Sequence, residues 1–339
     1  MGYQLPYKIS HIAPTKEAWT LLQASSIYAS PFQTPEYHDF LLAQTNHKPL
    51  ILTVSSDSVL LSLILIDLQS NGSRIIRPFT MRAIVHGGPL ISPECPDDAL
   101  RLLLDAAINL SRRNRAVYFE IRPYFNYTSY AQTFAACRLN YIDYADCVID
   151  TSSPEIINNN IQRRKRRQIR AALRQGIDFI DKPTDAQITE FYSMLHRCHW
   201  QRARRPIPTL CYFLDLAHTS IATILLAYHC GQLIAGSVLL HDSTDTAYHY
   251  YVAGEDHQYH TLEPSSVITY HTLHYANAIG CRCVSLMGAG RLSTPFGVRE
   301  FKRRMGAKVV PTGRYLFQIN PFIYRLASFA LNLLCRGNA

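Results

Sequence analysis

Two stretches of the chain repeat one order of apolar and polar positions. Pro49 to Val54 and Val59 to Leu68 are dense in aliphatic and β-branched side chains, and Ser55-Ser56-Asp57-Ser58 separates them, which predicts a hairpin. Ile84 to Ile91 encloses the turn His86-Gly87-Gly88-Pro89. Pro96-Asp97-Asp98 then opens a helical pattern through Ser111, with Leu100, Leu103, Leu104, Ala107 and Ile108 on one face. Ala116 to Ile121 follows as a strand. In the second half, Ile221 to Tyr228 and Leu233 to His241 flank Cys230-Gly231-Gln232 as another hairpin, and Ala247 to Val252 reads as a third strand. Pro264 suits a helical first turn and begins a pattern through Ala278, closed by Gly280 and followed by the strand Cys281 to Met287. Hairpin, helix and strand twice over predict a duplicated α/β domain with mixed sheets.

Between the copies, Thr151-Ser152-Ser153 precedes a helical segment from Pro154 to Gly176, with Ser152 or Ser153 as its cap and Gly176 as its end. The boundary is therefore placed near residue 152, giving domains 1–152 and 153–339. Asp185 to Trp200 reads as a further helix, and the prolines of Arg202-Ala203-Arg204-Arg205-Pro206-Ile207-Pro208 predict an extended loop. Lys308 to Ile319, interrupted by Pro311-Thr312-Gly313, reads as a final hairpin. Pro321 to Cys335 carries Phe322, Ile323, Leu326, Phe329, Leu333 and Leu334 with few charges. It is apolar enough to rest on a membrane face, but core packing or docking on a domain is the expectation.

Length agrees with this division, since 339 residues exceed one ordinary core. No apolar run approaches the roughly 18–20 residues that span a bilayer, and Met1 to Ser10 lacks a leader-like apolar stretch. Nine scattered cysteines without a C-x-x-C pair suit reduced thiols. A cytoplasmic protein is expected, with peripheral contact at the inner membrane face left open. His196/His199 and His271/His274 have i, i+3 spacing, but no Cys or carboxylate nearby completes a ligand set, so no metal site is assigned.

Charge changes the picture more. Residues 1–150 hold 12 Lys/Arg against 13 Asp/Glu, whereas residues 151–339 hold 22 against 12. A basic second half attracts phosphates, nucleic acid or an anionic surface. Its densest cluster puts Arg163, Arg166, Arg167, Arg170 and Arg174 on one helical face, able to contact several phosphates. Arg202 and Arg204 lie on the proline-stiffened loop, where guanidinium groups suit bidentate capture of phosphate or carboxylate. Gly288 and Gly290, just past a strand, permit close backbone approach to a ligand. A short helix after them groups Arg299, Lys302 and Arg303.

The stretch Gly288 to Gly306, ending in Phe301-Lys302-x-x-x-Gly306, resembles the C-terminal signature of FemAB-like transferases. So, in order, do Pro31-Phe32-Gln33-Thr34-Pro35-Glu36-Tyr37, Gly87-Gly88-Pro89, the Arg164 to Gly176 segment, the arginine–proline loop and Leu233-Ile234-Ala235-Gly236-Ser237. The resemblance spans most of residues 31–319 and implies two tandem GNAT-like acyltransferase domains. It implies aminoacyl transfer from aminoacyl-tRNA to an amine of a peptidoglycan precursor or related phosphate-bearing acceptor, with no bound cofactor. It also implies that Lys302 sits by the reacting ester carbonyl, where a fixed cation stabilises a developing oxyanion. Two departures point away from the usual acceptor: Tyr37 stands where the family tends to have Trp, with no lysine in His38 to Leu42, and Met287 ends a strand that often ends in an acidic residue. A CoA-dependent GNAT enzyme is the alternative, although Gly254 to Glu263 has one glycine and three carboxylates where CoA users present a glycine-rich turn to pyrophosphate. A non-catalytic binder of RNA or anionic lipid on the same fold is the third reading.

Overall fold

The computed structural model describes residues 6–70, 76–203 and 207–336, with side chains at all of these except 202–203 and 330–336. The chain forms two compact units, Met1–Tyr144 with Thr312–Ala339, and Ala145–Pro311.

In the first unit, β1 (Lys8–Ser10), α1 (Lys16–Ser25) and α2 (Pro35–Leu42) precede the expected hairpin of β2 (His47–Ser56) and β3 (Val59–Gln69). The short α3 (Arg77–Thr80), β4 (Arg82–Gly87), β5 (Leu90–Ile91), α4 (Asp97–Arg113) and β6 (Tyr118–Pro123) follow, then α5 (Ala131–Ala136) and β7 (Asn140–Ile142). Helix α4 buries Leu100, Leu103, Leu104, Ala107 and Ile108, the face its periodicity marks. The Pro31–Tyr37 motif is a structural knot. Gln33 is buried, donates Nε2 to the Gly88 carbonyl (2.8 Å), and accepts from Ser30 Oγ. Thr34 caps α2 through its hydroxyl. Tyr37 is fully buried edge-on against Phe32.

In the second unit, β8 (Ala145–Asp150) leads to α6 (Pro154–Asn160), α7 (Arg163–Leu173), β9 (Asp178–Ile180), α8 (Asp185–Ala203) and α9 (Leu210–Ala217). The hairpin of β10 (Ala222–His229) and β11 (Gln232–Leu240) follows, then β12 (Thr246–Gly254), α10 (Pro264–Ala278), β13 (Cys283–Gly288), α11 (Gly297–Arg304) and β14 (Lys308–Pro311). Two details differ from the sequence reading. The 154–176 segment is two helices, because the chain breaks at Gln162, whose amide bonds the Arg304 carbonyl. Helix α8 runs on through Ala203, so Arg202 is helical rather than in a loop.

The two units share one scheme. In the second, the strand order is β14-β8-β13-β12-β11-β10-β9, and only β12 and β13, joined through α10, are parallel. In the first, β4 and β6, joined across α4, are likewise parallel within the order β1-β2-β3-β4-β6. This is the duplicated α/β arrangement with mixed sheets that the two repeats predict.

The predicted final hairpin does not form. β14 pairs with β8 in the second sheet, whereas β15 (Arg314–Gln318) pairs with β6 and β7 in the first. Arg314 holds it there by bonding Glu120 (3.3 Å) and lying over the Tyr144 ring. Residues 312–339, expected in the second domain, therefore belong with the first unit, and Ala145–Asp150, expected in the first, belong with the second. The last helix, α12 (Pro321–Arg336), docks on the first unit as expected, although several of its described apolar side chains stay uncovered. Tyr324 packs on Tyr118, while Phe322, Leu326 and Phe329 point to solvent. No helix of the described residues is long and apolar enough to cross a membrane.

Candidate active site in the second unit

Parallel pairs need not stay joined along their length, and here the units differ. β4 and β6 pair at six successive positions, from Arg82/Tyr118 to Gly87/Pro123. β12 and β13 pair only at Thr246/Cys283, Ala247/Val284 and Tyr248/Ser285, after which they part. Both lips of this fork are irregular. β12 has a register shift against β11 between the pairs Val238/Tyr251 and Leu239/His249, and β13 has one against β8 between Ser285 and Gly288. Met287 lies at φ +59, a left-handed backbone uncommon for any residue but glycine and a mark of stored strain at functional sites. The Ser285 hydroxyl accepts the Met287 amide (3.0 Å) and holds it.

Strain at Met287 swings three consecutive carbonyls toward one point, and Lys302 of α11 occupies it. Its Nζ donates to the carbonyl oxygens of Leu286 (2.5 Å), Met287 (3.1 Å) and Gly288 (2.8 Å). These partners are neutral, so they hold the ammonium without cancelling its charge. Burial lowers its pKa from 10.5 to about 8, against the smaller raising influences of Cys147 and Asp146 on β8. Lys302 is thus half-buried in the fork rather than the fully open side chain that a basic helix suggests. Gly306 makes this placement possible. It lies at φ +98, and a Cβ there would meet the backbone of Asn160 at 2.8 Å, so α11 can end hard against the end of α6. Gly306→Ala should cost about 1–3 kcal/mol through strain and overpacking, read as a lowered midpoint in urea unfolding, and should weaken activity by shifting α11.

One residue of the fork escapes sequence reasoning. His249, the first residue of β12 past the last pair with β13, is buried, and its Nε2 has no hydrogen-bond partner among the described residues. Opposite it on β11 is Leu239, which shares the core cluster with Ala247, Leu286 and Met305. Burial first and the Lys302 cation second depress its pKa to about 3. It is therefore a neutral imidazole beside a cation, with a polar atom left unsatisfied, a cost of about 1–3 kcal/mol that proteins seldom tolerate without use. In sequence it is one of several histidines in an ordinary strand pattern.

The remaining expected site residues fall into three groups. Gly288 lines the fork through its carbonyl, and Gly290, at φ +74, lies against the Phe296 ring. Arg299 clamps the intervening loop, donating to the carbonyls of Ala289 (3.3 Å), Arg291 (2.7 Å) and Thr294 (2.5 Å). Arg166 likewise turns inward to the Asn158 carbonyl (2.6 Å). Both guanidinium groups are occupied with local structure rather than held out for a ligand. Arg170 is exposed with Arg163, Arg164, Arg167 and Arg174, so the cationic face of α7 exists without Arg166. The side chains of Arg202 and Arg204 lie outside the described residues. The histidine pairs do sit on helices, where His271 bonds Asp181 (2.6 Å) and stacks on Phe179. No cluster of three or more His, Cys, Asp or Glu among the described residues is placed to hold a metal.

The start of α10 has a different chemistry from an open anion seat. Asp256 accepts the Ser265 amide (2.9 Å) and hydroxyl (2.6 Å). Glu263 accepts the Ser266 hydroxyl (3.0 Å) and pairs with Lys165 (2.7 Å). The amides of Ser266 and Val267 go to the Glu263 carbonyl. The chain's own carboxylates thus cap the positive end of the helix dipole.

A duplicated unit with a parallel pair that forks in one copy is the tandem GNAT-type fold. Residues 159–303 match the family model of the acetyltransferase (GNAT) domain. Among solved structures, FemX is similar over 94% of this chain and 99% of its own, at 14% identity and a TM-score of 0.72. A tandem GNAT protein from the clavulanic acid biosynthesis pathway covers 93% and 99% at 14% identity, with a TM-score of 0.61. L-PGS from Bacillus licheniformis covers 97% and 99% at 12% identity, with a TM-score of 0.59. No curated protein matches this chain in sequence. The fold is therefore the tandem GNAT type, and the matched GNAT acetyltransferase domain lies in the second unit.

Proposed function

We propose that the protein transfers an aminoacyl group from aminoacyl-tRNA to an amine of a cell-wall precursor or a related phosphate-bearing acceptor, and that the fork of the second unit is the reaction centre. The observation that carries this reading is Lys302, an ammonium half-buried at the strand fork and held by three neutral oxygens. In the reaction the acceptor nitrogen bonds the ester carbonyl carbon, and the carbonyl oxygen becomes an oxyanion. The three N–H groups of Lys302 go to the Leu286, Met287 and Gly288 carbonyls, so it acts on the oxyanion as a fixed neighbouring positive charge rather than as a hydrogen-bond donor. Collapse breaks the bond to the ribose oxygen, which leaves with the proton the amine gives up. His249 supplies a neutral hydrogen-bonding atom to the bound substrate beside that charge.

The capped start of α10 supports a donor other than acetyl-CoA, because Asp256 and Glu263 would repel a pyrophosphate there. The exposed arginines of α7 support a polyanionic donor. Arg167→Ala/Arg170→Ala should raise KM severalfold and flatten its salt dependence with kcat little changed. A steady-state series at two ionic strengths checks this. The proposal itself is tested by incubating the protein with charged tRNA and cell-wall precursors and searching the products by mass spectrometry. An amide-linked amino acid on an acceptor is the expected product, and its absence with every charged tRNA would refute the donor class.

A further inference from the structure

The end of the chain carries a surface that the transfer reaction does not use. α12 is fixed on one side only: the Asn320 amide bonds the Val117 carbonyl, its side chain caps the Ile323 amide, and Tyr324 packs edge-on against Tyr118. At 100° per residue, Ile323, Tyr324, Ala327 and Ser328 make up this inner, half-buried side. Phe322, Leu326 and Phe329 fall within about 60° of one another on the outer side, exposed by 76%, 54% and 62%. α3 touches α12, and Phe79 on it and Ile76 just before it are each 50% exposed. Five large apolar side chains thus stand in water on or beside two adjoining helices. A patch of this kind is rare on a monomeric surface without a partner.

Charge identifies the partner. Arg325 flanks the apolar stripe and Arg77 lies between Ile76 and Phe79, both exposed. No carboxylate occurs anywhere from Leu68 to Ile91 or from Phe301 to Ala339. A cationic rim around outward aromatic and leucine side chains is the pattern of a helix lying in the plane of an anionic lipid surface. A protein groove matched to this helix would be expected to meet Arg325 and Arg77 with carboxylates, and a second copy of this same face offers none. We infer that the outer face of α12, with α3, is a docking surface for the headgroup region of an anionic membrane. α12 is a surface helix here and does not span the bilayer. This inference is independent of the transfer reaction and stands on the first unit alone.

Co-sedimentation of the full chain with large unilamellar vesicles tests it without any substrate. Binding to vesicles of 30% phosphatidylglycerol in phosphatidylcholine should exceed binding to pure phosphatidylcholine by about tenfold or more. Phe322→Ser/Phe329→Ser should lose at least tenfold in binding, and Arg77→Gln/Arg325→Gln should lose the preference for anionic lipid. Because these side chains are exposed, the thermal midpoint should not fall. Leu326→Trp gives a second readout that keeps the face apolar: its emission should shift to the blue with anionic vesicles and be quenched by brominated lipid. Wild-type protein that stays in the supernatant with every vesicle would overturn the inference. So would serine variants that bind as well as wild type, or a wild-type dimer that the serine variants convert to monomer.

Discussion

Lys302→Ala is expected to lower kcat by roughly 10²–10³, the effect of removing one group that stabilises an oxyanion. The structure adds a second consequence. Three half-buried carbonyl oxygens lose their shared donor, and an unmet acceptor costs about 1–3 kcal/mol at most even when fully buried. The alanine variant should therefore also unfold at lower urea. Lys302→Arg separates the two effects. A guanidinium can still donate to several carbonyls, but its planar fork cannot sit as a compact charge at the same point, so stability should recover further than turnover. The pH profile carries the sign of the depressed pKa. Turnover should fall as pH rises through about 8, where the half-buried ammonium gives up its proton, well below lysine's ordinary 10.5. Between those values the unfolded chain holds the proton and the folded chain does not, so Lys302's contribution to stability grows more favourable with rising pH across that window. A profile flat to pH 10 would separate Lys302 from the chemistry.

His249 should behave in the opposite way toward stability. Replacing it by leucine removes a buried polar atom that no described residue satisfies, so His249→Leu should stabilise the fold by about 1–3 kcal/mol. The same change should lower kcat/KM by about 10- to 100-fold, because the substrate loses its hydrogen bond to a buried polar group. His249→Gln retains a neutral polar end and should keep most of the activity, with the pH profile of the wild type. An imidazole with its pKa held near 3 is not poised as a general base at working pH. If glutamine fails as badly as leucine and the acid limb of the profile moves, His249 works by proton transfer instead.

The contrast between the two residues shows what a sequence carries. Local periodicity marks the hairpins at β2–β3 and β10–β11 and the buried face of α4, because each depends on neighbours within a few residues. Phe301-Lys302-x-x-x-Gly306 is legible for the same reason: Gly306 needs a positive φ, and Lys302 rides one turn before it. Nonlocal events are not legible. Strands flanking Pro311-Thr312-Gly313 look like a hairpin, yet β14 and β15 enter different sheets because Arg314 finds Glu120 nearly two hundred residues away. Arg166 and Arg299 read as ligand-binding cations until their carbonyl partners are placed. The fork itself is a pairing that stops after Tyr248 and Ser285. No residue pattern along β12 announces that, so His249 looked like any other inward strand residue.

The most direct test of the reaction centre is a double-label competition. Wild-type protein and Lys302→Arg are each mixed with tritiated aminoacyl-tRNA, carbon-14 acetyl-CoA and a pool of cell-wall precursors, and both labels are counted in the amide products of a single turnover. Tritium should appear in the wild-type product, fall sharply with Lys302→Arg, and be accompanied by no carbon-14. Carbon-14 in the amide product, or tritium transfer that proceeds unchanged in Lys302→Arg, would contradict the account.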